Sequence, residues 1–195
     1  MNFVFPMPPA GAAECVTTFI QNALDVQVFE RLPRLFHVDL ALARISPAFR
    51  TYRLDKEVLQ GTETVSEARF IAWQYLLFSA NSPITDLGVL EEDGKLVVSH
   101  MRGDSTLAQS AVQAMRLAEA DETTDSQVYE FRMLRVPCVR FVGAWLHRED
   151  DDIVIPIGHT STPGLAVHKF YSGKETLDLL KAEHAAVLPA AFAHS

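Results

Sequence analysis

The chain has 195 residues, is 48% hydrophobic and 22% charged, and carries a formal net charge of −8. That balance describes one globular domain over 1–195, able to bury roughly 70% of its unfolded surface, and excludes a disordered chain. The negative charge argues against a nucleic-acid or anionic-membrane binder, whose affinity rests on neutralising phosphates, and no apolar run reaches the roughly 20 residues of a membrane span.

Residues 1–12, with three prolines and Gly11, read as an extended or disordered lead-in. No Lys or Arg precedes Arg31, so the charged opening of a signal peptide is missing. The two cysteines, Cys15 and Cys138, have no ligand spacing, and a cytoplasmic protein with free thiols is the expectation. Glu14 to Leu24 reads as a helix with Val16, Phe19, Ile20 and Ala23 on one side. Phe36, Val38, Leu40 and Leu42 alternate with His37, Asp39, Ala41 and Ala43 as in a strand, but also fit a helix begun by Pro33. Pro47 ends that segment either way, and Phe49 to Leu54 reads as a return strand.

Thr64-Val65-Ser66-Glu67 has the form of a capping box before an apolar run and predicts a largely buried helix reaching Ala80. Its polar stripe is narrow, chiefly Glu67, Gln74 and Asn81, and Asn81-Ser82-Pro83 should stop it. Asp93-Gly94, between Leu87–Leu90 and Leu96–Ser99, predicts a hairpin. A helix follows from Ser105 to Ala120, capped by Asp104 or Ser105, with Leu107, Ala111, Met115 and Ala118 facing inward.

From Gln127 to Gly158 three apolar segments form the floor of a core. Tyr129, Phe131 and Met133 share one parity and Glu130 and Arg132 the other, the alternation of a half-buried strand. Val139 to Leu146 is apolar on both parities except at Arg140. Ile153, Val154, Ile155 and Ile157 make a third strand, with Pro156 at an edge or bulge. Arg148 to Asp152 is a turn between strands, while Arg135-Val136-Pro137 reads as a bend in one long strand or the start of a buried helix. Ser172-Gly173-Lys174-Glu175 is a second capping box, opening a helix with Leu177 and Leu180 that ends at Pro189.

Few residues suggest chemistry. Gly103-Asp104-Ser105 resembles the first block of GDSL-type hydrolases, but no Asp-x-x-His pair follows near the C-terminus, and the three residues read as an N-cap. Glu149 to Asp152, between His147 and His159, match no metal-ligand spacing and read as a solvated turn. No metal and no cofactor is expected. His159 and Ser161 lie in a loop just beyond a strand end, where function often sits. Arg140 stands in apolar surroundings and would need an acid such as Glu130 if buried. The binding candidates are therefore Arg140, His147, His159 and Ser161, with Trp73 and Trp145 as core anchors.

The order of elements describes an α+β domain, an antiparallel sheet of about five to seven strands with helices mainly on one face. In that order the central part is similar to small acidic dimeric chaperones such as those of type III secretion. Abundant apolar residues without a reacting constellation point to a non-catalytic protein-interaction or assembly module acting as a homodimer. The alternative is a hydrolase around Ser161, His159 and His147.

Overall fold

The computed structural model describes residues 2–25, 43–102, 105–121 and 127–192. The first half comprises β1 (Asn2–Val4), α1 (Ala12–Asp25), β2 (Ala43–Ile45), β3 (Phe49–Arg53), α2 (Lys56–Gly61), β4 (Arg69–Ser79), β5 (Ser82–Glu92) and β6 (Lys95–Met101). The second comprises α3 (Thr106–Glu119), β7 (Val128–Val136), β8 (Phe141–Arg148), β9 (Asp151–Pro156), β10 (Tyr171–Ser172) and α4 (Gly173–Phe192). The fold is α+β as expected, but the mostly antiparallel sheet has ten strands among the described residues. Three of the additional strands, β1, β2 and β10, are two or three residues long, too short for a periodic pattern. The fourth is β4, where the sequence predicts a helix.

That correction is the largest. Thr64 does accept a hydrogen bond from the Ser66 amide at 3.2 Å, but the turn it caps is the single 3-10 segment Val65–Glu67, and β4 follows at once. Four aromatics and Ile71 between Phe70 and Phe78 favour extended backbone. Trp73, Tyr75 and Leu77 pack toward α1, while Gln74 and Leu76, of the other parity, are also buried. The narrow polar stripe thus marked a strand covered on both faces. Asn81, expected to end a helix, instead forms a two-residue hairpin with Ala80, which has φ 52° and returns Ser79 to its partner Ser82. The segment from Phe36 to Leu42, together with Gly103 and Asp104, lies outside the described residues.

Chain contacts group the residues into two compact units. One holds Met1–Val4, Thr51–Phe70 and Ala114–Ser195. Its strands run β10-β9-β8-β7, antiparallel, with β1 parallel on β7. Tyr129, Phe131 and Met133 alternate inward on β7 as the sequence predicts, with Ala144, Leu146 and Ile155 buried on the same face by register. On the opposite face Leu134, Val136, Trp145 and Val154 pack with Leu59 of α2 and Leu177 and Leu180 of α4. The link after β7 is neither a bend nor a buried helix. Val136 pairs with Phe141, and between them Pro137–Val139 make one 3-10 turn closed by Arg140 in the left-handed region. The Ser172 hydroxyl caps α4 by accepting from the Glu175 amide at 3.1 Å. The helix continues past Pro189, its expected end, to Phe192. A proline removes one backbone donor, and the alanines around it are strong helix formers.

The other unit holds Phe5–Arg50 and Ile71–Gln113. There β4-β5-β6 form a meander, with β2 on β4. The predicted hairpin is present: Glu92 pairs with Lys95, and Asp93 and Gly94 turn with φ 51° and 73°. Ala12, Val16 and Ile20 of α1 close one face over Tyr75, Leu77, Leu87 and Val89.

Candidate functional site

In the first unit the strand register places polar residues at one end of the face whose other end is apolar core. Glu130 on β7 pairs with His147 on β8, and His147 with Asp152 on β9. One step along, Arg132 pairs with Trp145 and Trp145 with Val154. Two neighbouring rows across three strands therefore carry Glu130, His147, Asp152, Arg132 and Trp145 on one face, because residues opposite each other in a ladder share a side.

Asp152 is the hub. Its Oδ1 accepts from the buried Trp145 indole at 2.7 Å and lies 2.8 Å from His147 Nδ1, and its Oδ2 accepts from the Ser66 hydroxyl at 2.9 Å. A carboxylate accepts and does not donate, so in the neutral imidazole Nδ1 carries the hydrogen and Nε2 keeps its lone pair. Gly173 opens α4 directly against this residue: an added Cβ there would sit 2.7 Å from the Asp152 Cβ. The positive end of the α4 dipole thus lies beside an acid, the favourable polarity.

Arg132 completes the cluster. Its guanidinium lies 4.8 Å from the Trp145 ring centre and 4.9 Å from that of Tyr52, and it pairs with Glu130 at 2.7 Å. The rings continue edge to face from His147 to Trp145, Tyr52 and Phe70, with centroids 5.3, 5.1 and 5.9 Å apart. Only Phe70 among them is markedly exposed, at 43%.

In the second unit a different polar cluster lies under β4–β6. Asp86 is fully buried, and its Oδ2 accepts from Gln74, whose amide is also 3.3 Å from His100 Nε2, and from Arg102 Nε at 3.1 Å. Ser99 Oγ is 3.2 Å from His100 Nδ1, which brings Ser, His and Asp together. The proton inventory does not make a triad. Ser99 Oγ donates to the Gly88 carbonyl at 3.1 Å, so its hydrogen points away from the imidazole, and the His100–Asp86 separation is a long 3.5 Å. The cluster gathers its donors on one oxygen of a buried acid. Gly88 leaves the room for it, since a Cβ there would come within 2.3 Å of the His100 ring.

Comparison with known protein families, with curated proteins and with solved structures found no match.

Of the sequence-based candidates, His147 belongs to the Asp152 cluster. His159 and Ser161 are exposed in the loop after β9, and no hydrogen bond joins either to His147. Arg140 is exposed at the turn after β7, where its backbone rather than its side chain has a task; Glu130, considered as its partner, binds Arg132. The run Glu149 to Asp152 is half turn and half anchor, since Asp151 bonds Tyr129 at 2.6 Å and Asp152 is the hub above. Trp145 is a core anchor; Trp73 is only partly buried, packed against the α1 core with Arg50 5.4 Å over its ring. Among the described residues no three His, Cys, Asp or Glu are placed to hold a metal ion, and no helix is long and apolar enough to cross a membrane. Sequence reading missed Ser66, Arg132, Gln74, Asp86 and His100 as members of clusters. The available signal was a polar residue inside an otherwise apolar strand, as at Gln74 and Asp86.

Proposed function

We propose that this protein works by binding rather than by chemical transformation, as a protein-interaction or assembly module that pairs with a second copy of itself in the cytoplasm. The observation that carries this reading is the composition of one sheet face in the first unit. Val4 lies beside Glu130 and Asn2 beside Val128 in the parallel β1–β7 ladder, so Val4 and Val128 share the face of Arg132 and His147. Both are about half exposed, and Phe70 ends the aromatic series on that face. Exposed apolar residues thus border a stack of Tyr52 and Arg132 that lies over the buried Trp145, and aromatic and arginine side chains are enriched at interfaces. Most polar groups at that centre bond one another, Asp152 to Trp145, His147 and Ser66, and Arg132 through Nη2 to Glu130. Among the described residues no hydroxyl or thiol is bonded to Nε2 of His147, as nucleophilic catalysis would need.

Sedimentation velocity tests the reading. The wild-type chain should sediment at twice its 21.7 kDa mass, and Val128→Glu and Phe70→Glu should each shift it to single-chain mass. Both side chains are exposed, so the fold should tolerate the changes. A wild-type monomer at every concentration up to about 100 μM, well above the Kd of a micromolar dimer, or a dimer indifferent to both substitutions, sinks the proposal.

A second reading, a hydrolase around Ser161, His159 and His147, has the His147–Asp152 pair in its favour, a base held by a carboxylate. Ester hydrolysis lost in His147→Ala and retained in Phe70→Glu would replace the first reading with this one.

A further inference from the structure

We propose that the cleft between α2 and α4 is a binding site for a small monocarboxylate with a short apolar body. The cleft is about 170 Å³ and is lined by Leu59 and Gln60 of α2 and by Lys181, His184 and Ala185 of α4. Spacings of three and four residues put the α4 members on one side of that helix.

Charge is the first argument. Lys181 is half-buried and anchors its ammonium on the Thr62 carbonyl. An ammonium has three donors, so two remain. Among the described residues no carboxylate pairs with it, although the chain carries 25 acids against 17 Lys and Arg. A half-buried cation left without an acid in an acidic protein keeps its charge available to a mobile anion.

Hydrogen bonding is the second. His184 is only 6% exposed, yet its one polar contact is Gln60, whose amide nitrogen lies 3.3 Å from Nε2. With the amide donating, Nε2 accepts and Nδ1 carries the ring hydrogen. Nδ1 is closed to water and has no partner in the protein. The Gln60 amide keeps its second hydrogen, so a carboxylate in the cleft can accept from Gln60 as well as from Lys181.

Size and lining select the rest of the ligand. One ammonium neutralises one negative charge, so a monoanion fits better than a dianion such as phosphate. Leu59 and Ala185 offer an apolar wall to a hydrocarbon body. A dry cavity of about 150 Å³ in another protein accepts benzene, which sets benzoate as the upper size.

The test is calorimetric titration of the full chain with sodium benzoate and sodium butyrate, beside benzamide, butyramide and inorganic phosphate. Both carboxylates should bind, while the amides and phosphate give no saturable heat. Lys181→Met removes the charge but frees the Thr62 carbonyl, so Ala185→Leu serves as a second variant, filling the space from an exposed position with Lys181 in place. Each should weaken benzoate by at least about tenfold, the scale of one lost polar contact. Absence of carboxylate binding up to about 10 mM, beyond the millimolar range of the weakest specific sites, overturns the proposal. So does benzamide or phosphate binding as well as benzoate, or an affinity unchanged in both variants.

Discussion

Replacing Trp145 by alanine tests whether the Asp152 cluster is part of the fold's stability or only decorates it. Trp145 is fully buried, meets Tyr52 and His147 edge to face, lies under the Arg132 guanidinium and donates its indole hydrogen to Asp152 at 2.7 Å. Deleting a buried Trp costs about 3–5 kcal/mol through lost transfer energy and the cavity left behind. The cation–π contact adds about 0.5–2 kcal/mol, so the upper part of the range applies, near 5 kcal/mol. With a urea dependence of roughly 2 kcal/mol per molar, the denaturation midpoint should fall by about 2.5 M. Trp145→Phe keeps most of the apolar area and loses the donor, and should cost about 1–3 kcal/mol, the scale of a buried polar group stripped of its partner. Equilibrium urea unfolding followed by circular dichroism measures both. A midpoint displaced by less than about 0.5 M in Trp145→Ala, equivalent to only about 1 kcal/mol, would refute the reasoning and move Trp145 from the core to a binding surface.

Two further outcomes follow from single residues. Burial first, and then the hydrogen bond to Asp151, push the Tyr129 phenol up to about 12, above its ordinary value near 10. The folded state therefore holds the proton where the unfolded chain loses it, so the contribution is full below pH 10 and is lost as pH rises to 12. The urea midpoint should fall across that window in the wild type and lose this component in Tyr129→Phe; identical pH profiles would reject the assignment. Gly88→Ala drives a Cβ into the His100 ring, and should cost about 1–3 kcal/mol by overpacking. His100→Ala in the same chain should recover part of that loss, and a strictly additive double mutant would show that the ring is not what Gly88 accommodates.

Legibility in the sequence followed the physics of one-sided burial. Tyr129, Phe131 and Met133 alternate with Glu130 and Arg132 because the opposite face at that end of β7 is polar, and period two is then visible. The Asp93-Gly94 hairpin was legible because two consecutive positive φ angles need those residue types. β4 was not, because its middle is buried on both faces and its residues carry no period to distinguish it from a buried helix. Thr64 misled for a local reason: it caps a turn whether three residues or sixteen follow it. His147 was legible as a polar residue at the end of an apolar strand, but its partners were not. Ser66 and Asp152 are 86 residues apart in sequence, and only the placement of α4's start and the β8–β9 register brings them together.

The four consecutive acids show how one composition divides into different physical roles. Arg148 pairs with Asp151 and His147 with Asp152 across the β8–β9 hairpin, which leaves Glu149 and Asp150 as the exposed turn. Those two match the expectation of a solvated acidic turn, and Asp150 does no more than meet Arg148 at 2.7 Å in an exposed pair, worth little in water. Alternation then sends Asp151 and Asp152 to opposite faces of the strand. Asp151 meets the Tyr129 hydroxyl, and Asp152 meets Trp145, His147 and Ser66. Each acid is thus assigned by strand parity to a buried aromatic donor, one on each side of the sheet. The acids alone do not pin the register, because a one-residue slip in one direction would bring Asp150 and Asp151 to the two donors in place of Asp151 and Asp152; the same slip would send Val154 and Ile155 to the wrong faces. The register is therefore specified by the buried apolar residues Val154 and Ile155 facing opposite cores, and the acids follow it to their donors.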